Sequence, residues 1–290
     1  LWRHFCTDIC RRFGAAWADE AIFFFFDGES LLHMMRSSRT VDRAALDESA
    51  LTWTRWMEGR LPHETPWRAI ARDRARIAEA AAMIPEGNLR TIAAAAAQLL
   101  AANGAGAVTH RLVAAAAGLT LGVVSHRCKR TDDLLKLAYS EIYIQLTGGL
   151  PDRPSANPLP SEKGAQPDPS RMLAIDELVL AVARGRVGGG LVGLLRYLRG
   201  STSVHTVRER VNCTETQSVA LAAVYSSIAM GYWRSSGKVL GMEAGADYDR
   251  FVTGLFVVFA GKAARDGAIG PATERILQVA PNWQSTEPGL

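Results

Sequence analysis

The chain has 290 residues, of which 48% are apolar, and its net charge is only +4. This length exceeds one average domain, so two or three units are expected. Alanine and glycine dominate and runs of β-branched residues are rare, which predicts an all-α fold and excludes a β-rich one.

Neither secretion nor membrane insertion is indicated. No signal peptide is evident and no apolar run is long enough to span a bilayer, so we expect a cytoplasmic protein without a membrane partner. The cysteines are scattered and lack partners at the spacing of metal ligands. We therefore expect reduced thiols in the core, with no metal ion, rather than a disulfide or a zinc site. These are Cys6, Cys10, Cys128 and Cys213.

The N-terminal segment predicts two helices. Residues 1–26 carry aromatic and aliphatic side chains every three to four positions, which predicts one helix with a buried face. Within it, Ile22–Phe26 is apolar on every side and is expected in the core, with the wall of a ligand cavity as the alternative. The sequence Asp27-Gly-Glu-Ser predicts the end of this helix. A second helix is predicted from about Asp42 to Glu58, before Gly59.

Residues 1–62 form the first predicted domain, and part of this domain is similar to the C-terminal region. Arg36-Ser-Ser-Arg-Thr-Val41 is similar to Arg234-Ser-Ser-Gly-Lys-Val239, and a helix end at Gly59 is similar to one at Gly261. Both matches occur at a shift of about 200 residues, which is the pattern of an internal repeat. Chance similarity between amphipathic helices is the alternative, and both interpretations stay open.

Residues 63–86 are predicted to form a basic helical linker. Thr65 is a suitable helix cap, and Pro66 suits the first helical position. The linker helix carries four arginines on one part of its surface. They either solvate the helix or contact the phosphates of a nucleic acid, and they are Arg68, Arg72, Arg74 and Arg76.

A compact helix is predicted over Arg111–Ala117. Thr109 is a suitable N-cap, because its hydroxyl can accept a hydrogen bond from a backbone N–H that lacks a partner within the helix. Gly118 can take the positive φ of a C-cap. The buried stripe of this helix is expected at Leu112, Val113 and Ala116.

A second helix is predicted directly after this turn. Thr120 is a suitable N-cap for Leu121–Cys128, and Thr131 is one for a third helix, whose dipole favours Asp132 and Asp133 in the first turn. Two short helices joined by a glycine turn form the helix-turn-helix arrangement, which in DNA-binding proteins places the second helix in the major groove.

The charge around these helices has one sign. No acidic residue occurs between Glu86 and Asp132. A positive surface attracts duplex DNA, because binding releases condensed counterions. Such charges also solubilise an alanine-rich surface, but their position after a glycine turn favours DNA contact. The basic residues and histidines of this window are Arg90, His110, Arg111, His126, Arg127, Lys129 and Arg130.

The same residues resemble a known family. AAGLTLGVVSHRCKRTDDLL, residues 116–135, resembles the operator-binding signature of the TetR/AcrR transcriptional regulators. LRTIAAAAAQLLAANG, residues 89–104, resembles the first helix of that family, and VTHR, residues 108–111, the approach to its second helix. The specific resemblance covers about 89–143. It implies a helix-turn-helix DNA-binding domain at 87–135 and a helical ligand-binding and dimerisation domain at 136–290.

Three positions differ from the family pattern. Cys128 occupies the place of an aromatic residue, usually Phe, that anchors the recognition helix. Ser125 replaces a common Tyr. Thr131 replaces a Lys that would face the phosphates. We expect Cys128 to loosen the core of the DNA-binding domain, and Thr131 to remove one contact with the DNA backbone.

The resemblance implies that the helix beginning at Leu121 lies in the major groove. Leu121 and Val123 are expected to touch thymine methyls, while Ser125 and His126 hydrogen-bond base edges. Hydroxyls and cations nearby would bind phosphates and set the register. The full predicted DNA-binding set is Thr109, His110, Arg111, Thr120, Leu121, Gly122, Val123, Ser125, His126, Lys129 and Arg130.

The C-terminal region predicts a helical body. A long helix is predicted over Asp132–Thr147, followed by a loop over Gly148–Ser170 that contains six prolines and has no periodicity. Three consecutive glycines at 188–190 predict a break, and the polar stretch 201–215 separates further helices. These helices are predicted at Arg171–Arg184, Leu191–Leu198, Ser218–Arg234 and Asp247–Lys262.

The resemblance implies that the last two helices form a four-helix dimer interface with a second copy, and core packing within one chain is the alternative. If residues 1–62 are a truncated regulator-like repeat, they would provide the second helix pair, and the chain would be an intrachain pseudo-dimer rather than a homodimer. The interface residues expected are Leu221, Tyr225, Ile228, Phe251, Leu255 and Val258.

A small apolar effector is the expected ligand. Two DNA-binding domains must stand about 34–36 Å apart to read a palindromic operator. An effector with higher affinity for another spacing would release the operator by shifting the population. The candidate pocket residues are Leu180, Leu194, Tyr197, Tyr225 and Trp233.

An enzyme and a binding module are the two alternatives to a regulator. An enzyme is disfavoured, because the chain has no nucleophile elbow, no His-Glu-x-x-His and no phosphate loop, so no catalytic residue and no cofactor are predicted. Ser125 and His126 are neighbours on one helix and point about 100° apart, so they cannot act as a nucleophile and its base. The remaining alternative is a helical module that binds a ligand or a protein and whose helix-turn-helix no longer binds DNA. Cys128 and Thr131, which differ from the family pattern, are compatible with such a loss.

Overall fold

A computed structural model describes residues 1–12, 18–35, 39–81, 87–147, 169–185, 190–197, 200–235, 247–248 and 250–257. Over these residues the regular structure is helical and no strand occurs, which confirms the all-α prediction for this part of the chain. Residues 148–168 of the predicted loop Gly148–Ser170 lie outside the described residues, and its last two residues already belong to a helix that begins at Pro169. The glycines at 188 and 189 and the predicted helix end at 258–262 lie outside the described residues as well.

Twelve α-helices have defined bounds in the described part of the chain. Residues 250–257 are helical as well. In chain order the twelve are α1 (Trp2–Arg12), α2 (Asp19–His33), α3 (Arg39–Met57), α4 (Pro66–Ala81), α5 (Asn88–Asn103), α6 (His110–Ala117), α7 (Leu121–Arg127), α8 (Thr131–Thr147), α9 (Pro169–Ala183), α10 (Gly190–Tyr197), α11 (Val204–Arg210) and α12 (Glu215–Ser235).

The described residues divide by packing into two compact units. The first unit draws on Leu1–Glu29, Thr40–Arg68 and Gly200–Leu290, and the second on Ser30–Arg39 and Ala69–Arg199. Each unit therefore combines segments that are distant in the sequence. The four domains predicted from the sequence alone remain predictions.

Aromatic side chains fill the core of the first unit. Phe25 of α2 stacks on Trp53 of α3, with ring centroids 5.3 Å apart. Trp56 of α3 contacts Phe256 of the last helical segment at the same centroid distance. Offset and edge-to-face ring pairs of this kind stabilise a core beyond the burial of their area. Phe24, Phe25, Trp53 and Trp56 are therefore core residues of this unit. The predicted buried face of the first helix was wrong, because Trp2 and Phe5 are about half exposed and α1 buries Cys6 and Cys10 instead. Phe26, expected in the core with the rest of 22–26, is 39% exposed.

The prediction of one helix over residues 1–26 was wrong. The chain forms α1 and α2 instead, and α2 continues through Asp27 and Gly28 to His33. Gly28 keeps a negative φ and is buried, because the backbone of Ser227 lies against it where a side chain would be. This glycine permits a close helix crossing and does not end the helix.

Helix α11 (Val204–Arg210) lies within 201–215, where the sequence predicts only a polar separator between helices. A short 3₁₀ turn over Ser201–Ser203 leads into α11. Gly200 precedes it with φ of 79°, a left-handed conformation that side chains disfavour. Val207 and Val211 are the deeply buried residues among those of this stretch whose side chains the structure describes, so its sequence carries little apolar periodicity.

Helix α5 forms the centre of the second unit and packs against α6, α8 and α9. Its buried face is built mainly from alanines, with Ile92 and Leu100 as the large members. Small side chains let neighbouring helices approach closely, which explains the alanine-rich composition. The guanidinium of Arg90 lies 3.1 Å from the buried carboxylate of Glu141, and this ion pair joins α5 to α8.

Candidate nucleic-acid interface

Local capping builds the pair of short helices α6 and α7. The Thr109 hydroxyl accepts a hydrogen bond from the backbone N–H of Leu112 at 3.3 Å, and α6 ends at Gly118 with φ of 64°. The Thr120 hydroxyl likewise accepts from the N–H of Val123 at 3.4 Å. These caps satisfy backbone groups that the helices leave unpaired, and they are the caps that the sequence predicted.

The inner faces of both helices belong to the core of the second unit. Val113 and Ala114 of α6 are buried, and so is Val124 of α7. The predicted stripe of α6 was only partly right, since Leu112 is 46% exposed and Ala116 is exposed too. The apolar positions of this eight-residue helix are shifted by one residue from the expected register.

The outer face of α7 is open to solvent. Leu121 at its first position is 49% exposed, and Ser125 and His126 are exposed on later turns. Val123 is half-buried, and a Cβ added at Gly122 would meet nothing nearer than the Thr120 hydroxyl at 3.9 Å. Side chains predicted to read base edges therefore lie on an accessible surface.

Cys128 anchors the C-terminal end of α7. Its side chain is buried, and its N–H donates to the Val124 carbonyl at 2.8 Å. Burial raises the pKa of this thiol, and the nearby Asp133 carboxylate raises the pKa further. The sulfur is therefore a neutral thiol at pH 7 and acts as a small apolar side chain, not as a nucleophile.

His110 has a structural contact that the sequence did not indicate. Its Nε2 lies 2.7 Å from the Cys128 carbonyl oxygen, so Nε2 carries the proton and donates. The imidazole thereby satisfies a carbonyl at the end of α7 and joins the two short helices. Its predicted contact with DNA remains a prediction beside this role.

We expect His110→Ala to lower the stability of the second unit by about 1 kcal/mol, because the Cys128 carbonyl loses its donor. Calorimetry or chemical denaturation of the full chain measures the change. The matched control is His126→Ala, which removes an exposed imidazole and should leave stability within about 0.5 kcal/mol. Equal stability of both variants would show that the contact between His110 and the Cys128 carbonyl does not contribute to stability.

Four exposed cations surround α7. Arg111 lies in the first turn of α6, Arg127 ends α7, and Lys129 and Arg130 follow it. The Arg130 guanidinium lies 3.3 Å from the Asp132 carboxylate, and both groups are well exposed. An exposed pair of this kind costs little to separate, so Arg130 can turn towards a phosphate. Arg127 was absent from the predicted contacts, although its exposure in the last turn of α7 places it with them.

Several other arginines have protein partners instead. Arg90, counted in the positive window, pairs with Glu141. Arg68 is buried and donates to the Ser49 hydroxyl and to the Ala45 carbonyl in the first unit, and Arg72 is buried too. The interpretation of the linker helix as a row of phosphate contacts is therefore wrong for Arg68 and Arg72, because their charges are not at the surface.

Residues of the predicted pocket and interface are distributed over both units. Leu180 is half-buried on α9. In the first unit, the Tyr225 hydroxyl lies 2.9 Å from that of Tyr248, and the Trp233 ring lies 5.0 Å from the Tyr248 ring. Leu221, Ile228 and Leu255 are buried and Phe251 stacks on Tyr232. The side chains of Leu194 and Tyr197, and the whole of Val258, lie outside the described residues.

The described residues contain no group of three His, Cys, Asp or Glu side chains placed together as metal ligands would be. No helix among them has the length and apolar character needed to cross a bilayer. A comparison of the chain with protein families, curated proteins and solved structures finds no match.

Proposed function

We propose that this chain is a transcription regulator of the TetR/AcrR type, which binds duplex DNA through the helix-turn-helix formed by α6 and α7. The observation that carries the proposal is the asymmetry of α7. Val124 and Cys128 anchor its inner face in the core, while its outer face, which carries Ser125 and His126, is exposed among cations.

In this proposal the outer face of α7 enters the major groove. Leu121 and Val123 contact thymine methyls, and His126 hydrogen-bonds a base edge. Arg111, Arg127, Lys129 and Arg130 neutralise phosphates and fix the orientation of the helix on the duplex. The two caps, Thr109 and Thr120, lie at helix N-termini, where the unpaired N–H groups and the helix dipole favour an anionic phosphate.

The proposal also includes release of DNA by a small apolar effector bound in the helical body. Such a ligand shifts the equilibrium only as far as its affinities for the two states differ. Tyr225 and Trp233, with Tyr248 between them, are the described residues of the candidate pocket that come together.

The test is binding of the full chain to duplexes selected from a random library, followed by fluorescence anisotropy across a salt series. If each of the four cations neutralises one phosphate, the plot of log K against log salt should have a slope of about −3 to −4. Failure of the chain to select any duplex, or DNA binding without salt dependence, would reject the proposal. Either result would favour a ligand- or protein-binding module.

A further inference from the structure

Helices α2 and α12 touch backbone to backbone at two points within the first unit. A Cβ added at Gly28 of α2 would overlap the carbonyl oxygen of Ser227 on α12. A Cβ added at Gly231 of α12 would overlap the carbonyl oxygen of Phe24 on α2. Each helix therefore uses one glycine to let the other helix approach.

These two contacts are related by one sequence shift. Gly231 follows Gly28 by 203 positions (231 − 28), and Ser227 follows Phe24 by 203 positions (227 − 24). Each glycine thus packs on the residue that lies four positions before the other glycine. An antiparallel crossing by itself would bring residue 24 near residue 231, but it does not require a glycine at both related positions. Reciprocal contacts of this form define a two-fold, isologous interface.

A second pair of contacts follows the same shift. The Ser227 hydroxyl donates to the buried carboxylate of Glu29 at 2.9 Å. The residue equivalent to Glu29 is Tyr232 (29 + 203), and its ring lies 5.2 Å from that of Phe24, the equivalent of Ser227. The side chains differ between the two copies, whereas the pairing of positions is the same.

The second helix of each pair also packs on the preceding helix through an aromatic ring, although the partner positions differ. Trp53 of α3 stacks on Phe25 of α2. Phe256 follows Trp53 by 203 positions (256 − 53) and packs on Tyr225 of α12, with ring centroids 5.7 Å apart, whereas the equivalent of Phe25 is Ile228 (25 + 203). The position of the packing aromatic residue is shared, and its partner lies three positions earlier in the second copy.

We propose that α2–α3 and α12 with residues 250–257 are two copies of one helix pair, related by a pseudo-two-fold axis between Gly28 and Gly231. The first copy covers the face of α12 that a second chain would otherwise bind. This interface is therefore closed within one chain, and the protein is a monomer in solution. The inference does not depend on DNA binding. If the proposed function also holds, one chain is the DNA-binding unit.

The first test is sedimentation equilibrium of the full chain without DNA, from about 1 to 100 µM. The expected result is the mass of one chain, 31.4 kDa, at every concentration. A mass that rises towards twice this value would overturn the inference. Because no DNA is present, a chain that fails to bind any duplex still leaves this result interpretable, and a dimer that binds DNA would contradict this inference alone.

The second test probes the reciprocity of the contacts. Gly28→Ala and Gly231→Ala each place a methyl group against a backbone carbonyl, so each should lower the melting temperature by about 5 °C or more, and by similar amounts. Gly193→Ala is the control within a helix, since its Cβ would lie at an ordinary 3.7 Å from the Cβ of Ala75, and it should change the melting temperature by less than about 2 °C. Tolerance of alanine at either glycine 28 or 231 would contradict the pseudo-two-fold arrangement.

Discussion

The double variant His126→Ala, Arg130→Ala should bind the selected duplex at least about 30-fold more weakly and abolish its retardation in a gel. Loss of the base contact of His126 is expected to cost about 1–3 kcal/mol. Loss of the phosphate contact of Arg130 should weaken binding uniformly across sequences and reduce the salt slope by about 1. Binding is measured by anisotropy, together with the helical circular-dichroism signal of the free protein.

The control for this variant is Arg43→Ala, which removes an exposed arginine from α3 of the first unit, outside the α6–α7 surface. It should leave both the affinity and the salt slope unchanged. Both residues of the double variant are exposed, and the Arg130–Asp132 pair that is lost lies at the surface. The circular-dichroism signal should therefore match that of the native chain. Undiminished retardation by a folded double variant would reject α7 as the helix that contacts DNA.

A carboxylate at position 124 should unfold the α6–α7 pair. The Val124 side chain is fully buried, so Val124→Asp places an unpaired charge in an apolar interior at a cost of about 3 kcal/mol or more. Hydrogen exchange should show lost protection of the amides from 110 to 128, and DNA binding should disappear with it.

The neighbouring residue provides the matched control for this substitution. Val123 is half-buried towards the outer face of α7, and a carboxylate in the first turn of a helix is favoured by the helix dipole. Val123→Asp should therefore retain hydrogen-exchange protection but lose DNA binding by repulsion from the phosphates. If Val124→Asp kept its protected amides, the assignment of inner and outer faces of α7 would be wrong.

Helix ends around the candidate site were predictable because their signals are local. Thr109 and Thr120 cap the helices that follow them, and Gly118 takes a positive φ at the turn. Each of these contacts spans three or four residues. The buried stripe of α6 was less predictable, because two turns of helix offer too few apolar positions to define a phase, and Leu112 was placed inside when it is exposed.

The role of Gly28, by contrast, could not be predicted from local signals. Its sequence context, Asp-Gly-Glu-Ser, is typical of a helix end. The helix continues because Ser227 packs on Gly28 and also donates to Glu29, its neighbour in the chain. A contact partner 198 positions away leaves no trace in the local pattern. The similarity between the two ends of the chain was visible, but it did not indicate which residues would meet.

Helix content, the caps of α6 and α7 and the sign of the charge around them follow from the residues themselves, because capping, periodicity and charge act within a turn or two of helix. Which of the charged side chains lie at the surface is decided by the tertiary structure. Arg68 is buried and donates to Ser49. Arg90 is partly exposed and pairs with the buried Glu141, whereas Lys129 stays exposed. An arginine is buried only where a distant segment supplies an acceptor, since an unpaired charge in the interior would cost several kcal/mol or more.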